Sequence, residues 1–99
     1  MGLLVQISMA SMIVTMRVMP ESPEVDLTAV ETEARATITK ITSRDDMKIT
    51  VLPFAFGLNS MDIIFVMDEK NSPDEIEDIL RNIEGVQSVE VTDMRRAIG

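Results

Sequence analysis

Residues 47–68 read MKITVLPFAFGLNSMDIIFVMD. Two runs rich in β-branched and apolar residues flank a short PFAFG segment, and Gly57 is the obvious hinge between them. The first run predicts a strand from about Met47, and the second predicts a strand over 58–68. In the second run Met61, Ile63, Phe65 and Met67 share one face. Leu58, Ser60, Asp62, Ile64 and Val66 share the other, a half-polar set suited to a partly solvated surface. Two strands joined by so short a link are antiparallel neighbours. Whatever lies on either side of this pair therefore sets the fold.

On the N-terminal side, residues 10–19 (ASMIVTMRVM) alternate. Met12, Val14, Met16 and Val18 fall on one face, with Ile13, Thr15 and Arg17 on the other, which predicts a strand. PESPEVD follows, and its two prolines end the ladder. Leu27, Val30, Ala34, Ile38 and Ile41 then recur at near-helical spacing. Asp26 caps this helix, or Ser22 does if Pro23 opens the first turn. On the C-terminal side, Ser72, Pro73 and Glu75 form a capping box with proline in the first turn. Ile76, Ile79, Leu80 and Ile83 predict the buried stripe, and Gly85 the left-handed stop. VQSVEVTDM alternates as a fourth strand, with Val89 and Val91 inward. The order β-α-β-β-α-β predicts an α+β, ferredoxin-like split βαβ sandwich. Its four-stranded antiparallel sheet carries both helices on one face and leaves the other open.

Composition narrows the function. The 99 residues are 45% hydrophobic, enough for one modest core. No Pro/Gly/Ser-rich or low-complexity linker divides them. The net charge is −8, so free nucleic acid and anionic lipid are poor partners. Cys and His are both absent. That removes disulfides, thiolate zinc sites, imidazole bases and the usual nucleophile–base pairs. No D-x-D-x-D-G calcium loop is present. We expect no catalytic residue, no metal and no cofactor. Residues 1–16 carry no charge, yet Arg17 interrupts the run before the ~20 residues a membrane span needs. A secretory leader would want a basic start, and Gln6 stands where a myristoylation motif wants Ser or Thr. A soluble, cytoplasmic chain is expected.

The fold alone hosts many functions. RNA recognition would want aromatics on the central strands, where only Phe65 is available, and the charge is wrong. A metal chaperone would want paired cysteines. An acylphosphatase would want a glycine-rich anion loop where this chain has the acidic PESPEVD. What remains is binding. Three segments, VMPESPEVDL, PFAFGL and EGVQSVEVTDMRRAIG, stand in this order across residues 18–99. Together they resemble the archaeal translation elongation factor 1-beta family, guanine nucleotide exchange factors for the GTPase elongation factor 1-alpha. The resemblance covers about residues 9–98, so residues 1–8 form an extension and 9–99 a single exchange domain.

The resemblance implies the same ferredoxin-like fold, and a partner-binding role for four residues. In related eukaryotic domains the aromatic of the FG loop enters a hydrophobic pocket of the alpha factor; Phe56, beside Gly57, matches it. Those domains end in a Lys that approaches the partner's magnesium and phosphate region. Arg96, next to Arg95, holds that place here, and the chain continues to Gly99. From the residues alone, Phe54 belongs in the core, since one of the Phe pair must anchor the turn. Phe56 by itself would also read as a corner residue, and the arginines as a solvated tail. Glu21, Glu24 and the acids of 68–78 read as solvated faces or helix-dipole partners. The nine Met suit an adaptable core. A monomer without direct nucleic-acid or membrane contact is the expected form. The alternative is a small-molecule-binding regulatory module of the same fold, dimerising through sheet edges.

Overall fold

The computed structural model describes residues 11–97. The expected N-terminal extension, residues 1–8, lies outside them. The elements are β1 (Ser11–Pro20), α1 (Leu27–Thr42), β2 (Lys48–Pro53), β3 (Asn59–Asp68), α2 (Pro73–Arg81) and β4 (Val86–Arg96). The strands form one sheet in the order β2-β3-β1-β4. Each neighbouring pair is antiparallel. This is the ferredoxin-like arrangement that the element order predicts.

The alternation of β1 and β3 explains which face is covered. Val14 pairs with Phe65, Met16 with Ile63 and Val18 with Met61. All six side chains are buried. Val30, Ala34 and Ile38 of α1 and Ile76 and Leu80 of α2 close over them. The intervening set, Ile13, Thr15 and Arg17 against Val66, Ile64 and Asp62, lines the uncovered face. The helix entrances follow from their caps. Asp26 Oδ1 accepts from Thr28 N at 3.0 Å, so Asp26 rather than Ser22 starts α1. Ser72 Oγ accepts from Asp74 N at 3.1 Å, with Pro73 in the first turn.

Four details depart from the sequence reading. Helix α2 stops at Arg81, and Gly85 (φ +93°) forms the turn into β4 instead of the helix end. Ile79 is 41% exposed. At 100° per residue it sits at the edge of the stripe, farthest from Leu80, and the short helix rolls that edge to solvent. The hairpin's first strand ends at Pro53, and Ala55–Gly57 form a single 3-10 turn. Finally, Phe54 is not core: it is 51% exposed. Val51 and Leu52, on opposite faces of β2, are exposed as well. β2 is the edge strand of the sheet, and past its end Phe54 is left about half covered.

Candidate functional site

The PFAFGL turn is the unusual part of the molecule. Phe54 N donates to Leu58 O at 2.8 Å, and Leu58 N donates to Ala55 O at 3.2 Å. Between these closures Phe56 takes φ +62°, ψ +32°, and Gly57 takes φ +76°. Glycine adopts the left-handed region freely; a bulky aromatic there is an outlier costing roughly 1–2 kcal/mol. The strain is not repaid by burial, for Phe56 is 94% exposed. The fold thus tolerates backbone strain at a side chain that stays in water. Such outliers cluster at functional clamps and switches.

Arg95 and Arg96 are not a loose tail. They are the last residues of β4 and pair with Ile13 and Met12 of β1. Strand alternation sends them to opposite faces. Arg95 shares the open face with Ile13, where its Nε meets Asp93 Oδ2 at 2.9 Å. That hydrogen bond, with the charge of Asp93, raises the Arg95 pKa above its ordinary value. Arg96 projects on the helix-covered side, where its Nη1 meets Glu69 Oε1 at 3.0 Å. Both guanidinium side chains remain well exposed, 69% and 64%.

The fold does not bring Phe56 and Arg96 together. Phe56 precedes the start of β3, whereas Met12, the neighbour of Arg96, pairs with Met67 near the end of β3. Strand β3 has ten residues, so the two lie about 30 Å apart at opposite ends of the sheet. Phe56 and Gly57 adjoin each other in one turn; Arg95 and Arg96 adjoin in sequence but diverge in space.

Sequence reasoning missed one polar feature of the open face. Arg17 grips Asp62 with two hydrogen bonds, Nε to Oδ1 at 3.0 Å and Nη2 to Oδ2 at 3.2 Å. The hydrogen bond to Asp62, then its charge, raises the Arg17 pKa. Alternation placed both residues on uncovered faces; only the register, Arg17 opposite Asp62, reveals the pair. Near the Phe56 end, a groove between the 20–26 loop and the 84–85 turn is lined by Glu21, Asp26, Glu33 and Glu84. Four carboxylates make it hostile to an anionic ligand. Among the described residues no group of three or more His, Cys, Asp or Glu is placed to hold a metal ion. No helix among them is long and apolar enough to cross a membrane.

Comparison with known proteins agrees with the geometry. Residues 13–97 match the EF-1 guanine nucleotide exchange domain. The chain is 40% identical over 89 residues to elongation factor 1-beta of Methanothermobacter thermautotrophicus, covering 89% of this chain and 98% of that protein. It is 32% identical to elongation factor 1-beta of Methanocorpusculum labreanum, covering 91% and 100% respectively. For that of Methanobrevibacter smithii the identity is 34%, over 89% and 98%. The matched region takes in both helices and all four strands except the first two residues of β1. The chain therefore belongs to the EF-1 guanine nucleotide exchange family.

Proposed function

We propose that this protein promotes exchange of GDP for GTP on elongation factor 1-alpha during protein synthesis, and that it does so by binding alone. Phe56 is the apolar anchor, set by Gly57, and enters a hydrophobic pocket of the partner. Arg96 acts on the partner's magnesium and phosphate region, and Arg95, on the opposite face of the sheet, makes a separate and lesser contact with the partner. The observation that carries this reading is the 94% exposure of Phe56 on left-handed backbone, within the exchange-family match.

The energetics are those of linkage. A factor that binds the nucleotide-free GTPase more tightly than the GDP-bound form weakens GDP by the same ratio. Swinging the partner from almost fully loaded to almost fully empty takes about 5.5 kcal/mol of differential binding. Burying one Phe contributes roughly 1.5–3 kcal/mol. A charged hydrogen bond contributes about 1.5–3 kcal/mol. A Phe and one arginine therefore account for most of the requirement. Because they stand about 30 Å apart, they address two separate regions of the partner at once. The family match favours exchange over the small-molecule regulatory module.

The test is release of a fluorescent GDP analogue from archaeal elongation factor 1-alpha. Strong acceleration at substoichiometric protein is the expected result. No acceleration of a partner shown to bind and release nucleotide would reject the exchange reading.

A further inference from the structure

We propose that Pro23 is a positioning residue for Phe56: its ring, held on a pinned loop, backs the Gly57 side of the turn and keeps the aromatic presented. The inference rests on the exchange reading for its functional consequence, though not for its structural one. A methyl group at Gly57 would lie 3.9 Å from Pro23 Cγ, in van der Waals contact. Among the described residues, and apart from Gly57's chain neighbours and the backbone of its own turn, Pro23 Cγ is the one heavy atom within 4 Å of that position.

The loop that carries Pro23 is fastened on both sides. Before it, Pro20 is the last residue of β1 and pairs with Val86. Glu21 N then donates to Gly85 O at 2.9 Å. After it, Val25 N donates to Ser22 O at 3.2 Å, and the Val25 side chain packs on the core. Val25 also presses on Gly85, where a methyl group would meet its Cγ1 at 2.9 Å. Pro23 itself has a fixed φ and little freedom to yield. A residue in the left-handed region persists only when its surroundings over-determine it. Two backbone hydrogen bonds close the Phe56 turn from inside, and Pro23 supports it from outside. An anchor ordered before docking loses less entropy when it docks.

The experiment uses the sequence itself. Labelling with 15N-phenylalanine gives three amide signals, from Phe54, Phe56 and Phe65. In the full chain Phe56 is expected to show an order parameter near that of rigid backbone, about 0.85, falling below about 0.6 in Pro23→Ala and Pro23→Gly. Phe65, in the core, should not change. In the GDP-release assay Pro23→Ala is expected to raise the protein concentration for half-maximal rate about threefold to tenfold at unchanged maximal rate. In a Phe56→Ala background it should add nothing. An unchanged Phe56 order parameter overturns the proposal. So does an equal loss in both backgrounds, which would mean that Pro23 touches the partner directly. If the parent protein releases no GDP, the exchange reading falls, and the Phe56 order parameter alone decides whether Pro23 positions the turn.

Discussion

At one end of the sheet Phe56 stands out on strained backbone; about 30 Å away Arg95 and Arg96 extend a regular strand, each holding a carboxylate. The first end stores its cost in the fold. The left-handed φ is a cost met on folding, and the exposed ring forgoes burial that docking then gains with little left to order. The second end stores nothing. The Arg96–Glu69 pair is exposed, and such pairs contribute about 0–1 kcal/mol. It can be traded for a stronger contact at small cost. A preformed anchor and a releasable charge suit two different tasks, holding a partner and altering it.

The largest effect should fall on the anchor. Phe56→Ala is expected to reduce the second-order exchange rate roughly 10- to 150-fold, the equivalent of about 1.5–3 kcal/mol. Its melting temperature should stay within a few degrees of the parent. Phe56→Gly should lose exchange as fully while relieving the left-handed strain, so its melting temperature should not fall. A core aromatic would behave oppositely, with a loss of about 3–5 kcal/mol in stability. A large drop in melting temperature in Phe56→Ala would therefore abolish the contrast between the two ends.

Next comes the support beneath that end. Gly85→Ala places a methyl group 2.9 Å from Val25 Cγ1 at φ +93°. Strain and overpacking together should cost about 2 kcal/mol or more. For a domain of this size that lowers the melting temperature by about 10 °C. The same change at Gly57 meets only an ordinary 3.9 Å contact, so Gly57→Ala should cost less than Gly85→Ala. Equal costs, measured by thermal unfolding, would show that the 85 turn is not the tighter of the two.

At the other end the expected loss is about tenfold, equal to ~1.4 kcal/mol. Arg96→Ala should lower the exchange rate at saturating protein and weaken binding to nucleotide-free partner by no more than the same factor. Arg95 and Arg96 face opposite sides of the sheet, so both cannot reach one phosphate site. Arg95→Ala should therefore have a much smaller effect. Equal losses in the two variants would mean that the end of β4 reorganises on docking.

The elements at both ends were readable in the sequence; their orientation was not. Alternation grouped Val14, Met16 and Val18 on one face of β1 and Met61, Ile63, Phe65 and Met67 on one face of β3, and these are the buried faces, because one covered face imposes a period of two; Ser60, read with the partly solvated set, is buried too. The arginines illustrate the limit. Val89 and Val91 face inward, and carrying that parity forward would send Arg95 to the helices and Arg96 to the open face. Register shifts instead: Met16 pairs with Val91 but Thr15 with Asp93, so Thr92 is an extra residue in a bulge. One inserted residue reverses every face beyond it. The fate of Phe54 was hidden for another reason. Whether a strand end is covered depends on how far the helices reach, and local spacing carries no such information. The resemblance to the family directed attention to Phe56; the strain that gives it physical meaning is a backbone property that no residue pattern announces.

The smallest effect concerns acid, and it too distinguishes the ends. The 43–47 loop lies near the start of β1, at the arginine end, and is tied by Arg44 Nε and Nη2 on Asp46 at 3.0 and 2.6 Å. The hydrogen bond from Arg44 lowers the Asp46 pKa below its ordinary value. A depressed folded-state pKa stabilises the protein above the unfolded value, near pH 4, and that contribution fades as pH falls through the folded value. Acidification from pH 5 to pH 2 should therefore loosen residues 43–47, read as earlier hydrogen exchange there than in the 54–58 turn, whose closure uses backbone groups alone. Arg44→Ala should remove the acid sensitivity of that loop and leave the turn unchanged. With no His or Cys in the chain, no side chain has an ordinary pKa between 5 and 8. The difference in acid sensitivity between the two ends should then be absent throughout the neutral range and appear only under acid.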